Sequence, residues 1–196
     1  MKLFEYLINQ SIQPKGFVGN AMLKMMNNAH KGLFKLGISN INVSENYKLL
    51  DLGFGGGRAL KTISGKYEDL KLFGIDFSDE ALKVASQNNK NDIKRGKIIL
   101  VKADIDEIPF LDNFFDIITA FQTHYYWQNM ELKMKEIYRV LNENGQFLII
   151  AEKYKINYYM MEYKTEREMK EFFNKTGYKN IEYTDTKNNM CIRGVK

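Results

Sequence analysis

The stretch Lys48 to Ser64, KLLDLGFGGGRALKTIS, constrains this chain more tightly than any other. Leu49, Leu50 and Leu52 make a short apolar run suited to a buried parallel strand, with one acid, Asp51, inside it. Gly53, Gly55, Gly56 and Gly57 then form a turn almost without side chains, and from Arg58 onward Ala59, Leu60 and Ile63 recur at helical spacing. Strand, glycine loop and helix N-terminus together build a nucleotide site, because glycine lets the backbone approach a ligand and reach φ > 0. The alternative is a glycine-rich turn that binds nothing. A dinucleotide fingerprint, G-x-G-x-x-G, is excluded: the sixth position from Gly53 is Arg58, and from Gly55 it is Leu60. What stands there is D-x-G-x-G-x-G, formed by Asp51, Gly53, Gly55 and Gly57.

Length and charge narrow the class. A chain of 196 residues, 44% hydrophobic and 27% charged, fits one soluble domain with a sizeable core. The expected organisation is a single domain over 1–196, with an N-terminal helical cap (1–45) and an α/β core (46–196). One cysteine, Cys191, rules out an internal disulfide and fits a reducing compartment. The N-terminus MKLFEYLINQ carries Glu5 within its apolar run and no small-residue cleavage pattern, so no signal peptide is expected. No apolar run reaches membrane-spanning length, and the expected location is the cytoplasm. The net charge of +5 is spread unevenly: +3 over 1–45, −1 over 46–150 and +3 over 151–196. Basic ends attract RNA or anionic substrates. A competing explanation is compositional, since the chain is rich in Lys, Asn, Ile and Tyr, has 2 Pro and contains no Lys/Arg-rich run.

Residues 3–10 and 17–36 read as helices separated by Gln13-Pro14-Lys15-Gly16; Val18, Met22, Met25, Ala29 and Leu33 share one face of the second. Leu70 to Asp76 is the second strand. Asp76 lies nineteen residues beyond Gly57, about where an acid meets a ribose in nucleotide-binding βαβ units. Ser78 caps the next helix, in which Ala81, Leu82 and Ala85 face inward. Gly96 to Val101 and Phe115 to Phe121 are the third and fourth strands. Met130 to Leu141 is a helix with Leu132, Ile137, Val140 and Leu141 facing in, closed by a turn at Asn142 to Gly145. Gln146 to Ala151 is the fifth strand, and Lys153 to Tyr163 is an aromatic connection. Thr165-Glu166-Arg167-Glu168 is a capping box opening a helix to Thr176. Tyr178 to Thr186 and Met190 to Val195 form a terminal hairpin, with Gly194 marking a bulge or a close approach.

The D-x-G-x-G-x-G loop, the acid Asp76, the Lys102-Ala103-Asp104-Ile105 segment and IPFLDNFFDIITAF, in that order, resemble the class I S-adenosylmethionine-dependent methyltransferases over 48–195, and more weakly over 15–47. That resemblance implies a Rossmann-like, doubly wound seven-stranded sheet, mostly parallel with an antiparallel C-terminal strand, and an N-terminal helical cap that is either simply docked or a lid. It implies S-adenosyl-L-methionine as cofactor and S-adenosyl-L-homocysteine as product. Asp51, Gly53, Phe54, Gly55 and Gly57 would hold the methionine end, whose ammonium suits an acid. Asp76 would take the ribose hydroxyls, Phe77 an adenine face, Asp104 the adenine amino group and the Ile105 N–H the ring, with Phe121 closing the cofactor side. Asp104 as a plain turn acid is the other reading. Relatives often show an acid where Gln122 stands, so no carboxylate contact is assumed there.

The segment Phe121 to Trp127 leaves the carboxyl end of the fourth strand, where open α/β sheets bind ligands. Thr123, Tyr125, Tyr126 and Trp127, with Tyr158 from the aromatic connection, are candidates for the acceptor site. His124 is a candidate general base, or else a loop or pocket-shaping residue. The sulfonium already activates the methyl group, so positioning and desolvation suffice; no metal is required, and no Cys/His cluster has ligand spacing. The expected reaction is methyl transfer to a small-molecule acceptor. An RNA or protein methyltransferase and a non-catalytic nucleotide-binding protein are the alternatives, with monomer and homodimer both open.

Overall fold

The computed structural model describes residues 31–196. The helix expected over 3–10, the part of the 17–36 helix before residue 31, and the cap or lid they would form lie outside the described residues. The described chain runs α1 (Lys31–Ser39), β1 (Lys48–Leu52), α2 (Arg58–Lys66), β2 (Lys71–Asp76), α3 (Asp79–Asn88), α4 (Lys90–Lys94), β3 (Ile98–Lys102), β4 (Phe115–Phe121), a 3-10 turn (His124–Tyr126), α5 (Met130–Val140), β5 (Leu141–Glu152), α6 (Lys153–Tyr159), α7 (Glu166–Lys175), β6 (Lys179–Asp185) and β7 (Asn189–Val195). The strands form one seven-stranded sheet in the order β3-β2-β1-β4-β5-β7-β6. β1 to β5 pair in parallel, whereas β7 is antiparallel to both β5 and β6. This is the Rossmann-like sheet that the order of motifs implies.

Period-two alternation divides the apolar side chains between the two faces of the sheet. Leu49, Leu72, Ile117, Leu148 and Ile150 pack beneath Leu33 and Phe34 of α1, Leu60 and Ile63 of α2, and Ala81 and Ala85 of α3. Their neighbours Leu50, Phe73, Ile118, Phe147 and Ile149 pack beneath Met134 and Ile137 of α5 and Phe172 and Phe173 of α7. Burial on both faces is what a central parallel strand requires, and it explains the unbroken apolar runs of β1 and β4.

Local chemistry sets the element ends. Ser78 Oγ accepts from the Ala81 N–H at 3.2 Å and starts α3. At α7 the capping box is complete: the Thr165 hydroxyl accepts from the Glu168 N–H, and the Glu168 carboxylate accepts from the Thr165 N–H at 2.9 Å. Gly194 is a close approach, since a Cβ there would lie 2.8 Å from both Phe173 and Tyr178.

Three expectations need correction. Leu132 was expected to face inward but is 56% exposed, and Met134 occupies the inward position instead. Ile137, which is buried, lies five positions beyond Leu132, well off a whole number of helical turns. Residues 153–159, expected only as part of an aromatic connection over 153–163, form the short helix α6. Asn142 to Gly145 lie within the run of β5 rather than ending before it: Leu141 pairs with Phe115 and Gln146 with Ile117, so the intervening residues bulge out, with Asn144 at φ 64°.

Candidate functional site

Between β1 and β4 the strand order reverses, and the crevice at their carboxyl ends is where a doubly wound sheet holds its ligand. A cavity of about 350 Å³ opens there, within the size range of small-molecule sites. Its described lining takes residues from the ends of three strands: Asp51 from β1, Asp76 from β2 and Phe121 from β4.

Asp51 is 1% exposed, and its Oδ1 accepts from the Thr119 hydroxyl at 2.9 Å. Burial pushes its carboxyl up to about 7; the Thr119 bond opposes this, and the Asp76 charge adds to it. A carboxylate so poorly compensated is suited to a cationic partner.

The glycine loop that follows is held in place from several sides. Gly53, Gly55 and Gly57 have φ of 67°, 51° and 72°. At Gly53 a Cβ would also fall 2.6 Å from the Thr123 methyl, so this glycine is demanded by both conformation and space. The Gly53 N–H donates to the Ile75 carbonyl at 2.8 Å. From the far end of α3, Asn88 Nδ2 donates to the Gly56 carbonyl at 2.8 Å and Asn89 Nδ2 to the Gly57 carbonyl at 3.1 Å. These asparagines had no role in the sequence reading, since nothing local connects them with a loop thirty residues earlier.

Asp76 reaches back to the same loop. Its Oδ2 accepts from the Gly55 N–H at 2.9 Å and its Oδ1 from the Ser78 N–H at 3.0 Å. Burial raises its pKa while both backbone donors pull it down. Phe77, 44% exposed, lies on the rim. Asp104 and Ile105 complete this side, with Asp104 Oδ1 accepting from the Asp106 N–H at 3.1 Å. Across the cavity stand Phe121, edge-on to Phe34 with centroids 5.5 Å apart, and then Thr123, Tyr126 and Trp127.

Of the residues expected at the site, Asp51, Gly53, Phe54, Gly55, Asp76, Phe77, Asp104, Ile105, Phe121, Thr123, Tyr126 and Trp127 line this one cavity. Gly57 stands behind the loop, against Ala85 and Asn89. Tyr125 turns away, stacked on Tyr159 at 5.4 Å, with its hydroxyl donating to Gln122 Oε1 at 3.1 Å. Tyr158 is 63% exposed and does not reach the lining. His124 needs the firmest correction. It has no exposed surface, neither ring nitrogen has a partner, and it faces a second depression beneath Tyr159 to Tyr163. Burial holds its pKa down at about 3, so it stays neutral at any ordinary pH. The proton-accepting role expected of it is not what this geometry provides.

Arg58, Gln122, Gln128 and Lys133 also line the cavity and were not anticipated as site residues. Arg58 carried the one available signal, since it directly follows the last glycine. Gln122, at φ 61°, fastens the end of β4 to that of β5: its Nε2 donates to Glu152 Oε2 at 2.7 Å, and its Oε1 accepts from the Glu152 N–H at 3.1 Å. Among the described residues no cluster of three His, Cys, Asp or Glu could hold a metal ion, and no helix is long and apolar enough to cross a membrane.

The model of a methyltransferase domain family matches residues 50–149. The chain belongs to this family, and its fold is that of the class I S-adenosylmethionine-dependent methyltransferases. The cofactor of such enzymes is S-adenosyl-L-methionine. Among curated relatives, the chain is 26% identical to the uncharacterized methyltransferase YdaC of Bacillus subtilis, over 57% of this chain and 60% of that protein. It is 29% identical to the demethylmenaquinone methyltransferase of Porphyromonas gingivalis, over 53% of this chain and 43% of that one. The chain thus spans at most about three fifths of the length of these relatives. A crystal structure of a SAM-dependent methyltransferase from Aquifex aeolicus superposes with a TM-score of 0.73 at 18% identity, covering 90% of this chain and 97% of that one.

The residues present fit the family's cofactor. A buried acid, a loop whose Gly53 position a Cβ would obstruct, and a second acid at the end of β2 form a donor and acceptor set for an ammonium, a backbone-bound chain and a sugar.

Proposed function

We propose that this chain binds S-adenosylmethionine in the cavity between β1 and β4 and transfers its methyl group to a small-molecule acceptor. The observation that carries the reading is the convergence of Asp51, the glycine loop, Asp76 and Asp104–Ile105 on one cavity of about 350 Å³. Each supplies what one part of the cofactor needs, and the acids Asp51, Asp76 and Asp104 on the lining disfavour a pyrophosphate. When bound, the cofactor supplies a sulfonium that already activates the methyl group for in-line displacement.

The work left to the protein is positional. Asp51 would hold the ammonium, and the exchange of its solvation for a fixed cation restores its ionised form. Asp76 has acceptor capacity beyond its two backbone donors and would take ribose hydroxyls. Phe77 and Ile105 would flank the base, with Asp104 at its amino edge. Phe121, Tyr126 and Trp127 form an aromatic wall that excludes water and suits an apolar or aromatic acceptor. That wall is compatible with demethylmenaquinone, for which one relative is named. The reading puts the enzyme in the cytoplasm, which the lone, buried Cys191 supports.

Calorimetric titration with S-adenosylmethionine, S-adenosylhomocysteine and NAD tests the reading. Micromolar binding of the two sulfur ligands and none of NAD is the expected result. Folded protein that binds neither sulfur ligand would reduce the glycine loop to a turn and end the proposal. Production of S-adenosylhomocysteine over a panel of lipophilic and aromatic acceptors then identifies the acceptor class.

A further inference from the structure

We propose that the depression behind the 3-10 turn is a second ligand site, which takes a small neutral aromatic molecule bearing a hydroxyl. It is separate from the cofactor cavity, and its test does not depend on the cofactor reading. The depression has a volume of about 330 Å³. It is lined by His124, Trp127 and Met130, leading into α5, and by Tyr159, Met160 and Tyr163, leading out of α6.

Three nitrogens here are buried without a protein partner: Nδ1 and Nε2 of His124 and Nε1 of Trp127. Among the described residues, every other side chain with such an atom has only one. His124 has two, and Trp127, edge-on to it with ring centroids 6.5 Å apart, adds the third. A buried polar atom left unbonded is a standing cost. Phenylalanine at 124 would fill the space without that cost, so packing does not account for the imidazole.

The chemistry of these groups defines the ligand. His124, held neutral by burial, offers one N–H donor and one acceptor, and the indole offers a donor. A hydroxyl both accepts and donates, so it can meet an N–H and a bare ring nitrogen together; a carbonyl meets donors only. The walls set the rest. Tyr159 stacks on Tyr125 at 5.4 Å and Tyr163 on Phe172 at 4.2 Å, and with Met130 and Met160 they give apolar surfaces suited to an aromatic ring. Glu131 and Glu162 also line the depression, and among the described residues no Lys or Arg does, which disfavours an anion. Trp127 is the one described residue that lines both this depression and the cofactor cavity.

Trp127 is also the only tryptophan in the chain, so its fluorescence reports on the site directly. The test titrates the wild-type chain with benzyl alcohol and with ethylbenzene, which has a methyl group in place of the hydroxyl. Emission excited beyond the tyrosine absorption should shift saturably with benzyl alcohol. Ethylbenzene should bind about 10- to 100-fold more weakly, the range for leaving a buried polar group unsatisfied. His124→Phe should erase that preference. His124→Gln, which keeps a donor and an acceptor, should retain part of it and guards against a fold defect in the phenylalanine variant. The imidazole nitrogen resonances that vanish in His124→Phe should move with benzyl alcohol in the wild type. Equal binding of the two ligands, or a preference that survives in His124→Phe, overturns the assignment. Folded wild-type protein that binds neither overturns it too, and leaves the buried nitrogens to ordered water.

Discussion

Asp51 and His124 are both fully buried, and burial moves their ionisation in opposite senses. The Asp51 carboxyl, raised to about 7, holds its proton in the folded chain over a range, roughly pH 4 to 7, where the unfolded chain has released it. Folding stability from this group therefore falls as pH rises through that window, by up to about 1.4 kcal/mol per pH unit. His124 is depressed to about 3, so below its ordinary 6.5 the unfolded chain takes up the proton first. Stability from this group is complete above pH 6.5 and is lost as pH falls, with a similar slope. Between about pH 4 and 6.5 the two contributions oppose each other. Asp51→Asn should therefore make acidification more destabilising than in the wild type, and should raise the stability of the ligand-free protein at pH 8 while weakening cofactor binding. His124→Phe, which keeps an aromatic ring beside Tyr125, should make acidification less destabilising. Urea unfolding of both variants from pH 4 to 8 decides the matter, and parallel wild-type and variant curves would refute the assignments. Reading the sequence singled out both residues, but it could not say that one lies on the cavity wall and the other behind it.

At the scale of elements, the loop between β1 and α2 is held by conformation and by contact, and the two can be separated. Gly53→Ala places a Cβ at φ 67°, which costs about 1–2 kcal/mol for an L residue, and drives it toward the Thr123 methyl at 2.6 Å. Thr123→Ser removes that methyl. The double variant should recover part of the stability lost by Gly53→Ala, with the conformational share remaining. Full recovery or none, measured by thermal melting, would show that only one of the two terms operates. The same division explains what could be read from the chain at this scale. The strand, the glycines, the Ser78 cap and the Thr165 capping box are short-range patterns, and all are present as expected. The clamp from Asn88 and Asn89 joins residues 32 apart in sequence and has no local signature. α6 was missed for a related reason: a seven-residue helix with Ile156 as its buried residue carries too little periodicity to stand out.

In the whole molecule, the site lies where the most protected strands meet. β1, β4 and most of β5 are buried on both faces, whereas β3 and β6 are edge strands that are largely half-buried or exposed. Amide exchange should accordingly be slowest in β1, β4 and β5 and fastest in β3 and β6. S-adenosylhomocysteine should add protection at 53–58 and 103–106, which face the cavity beyond the ends of β1 and β3, and leave the β6–β7 hairpin unchanged. Protection gained uniformly along the chain, or first in the hairpin, would place the ligand elsewhere.

The sequence by itself determined the local parts: a strand closing on an acid, a turn that only glycines can follow, helices begun by Ser78 and Thr165, and acids at the ends of two strands. These depend on φ/ψ preferences, side-chain periodicity and caps, all written within a few residues. Tertiary structure decided which side chains meet. After β4 the chain turns at Gln122, pinned to Glu152 of β5, into a 3-10 turn. Such a turn sends three successive side chains in three directions. Tyr126 faces the cavity, Tyr125 stacks on Tyr159, and His124 enters the interior. The orientation of that turn is set by a contact thirty residues away, and so is the difference between a residue that can touch the cavity's ligand and one that cannot.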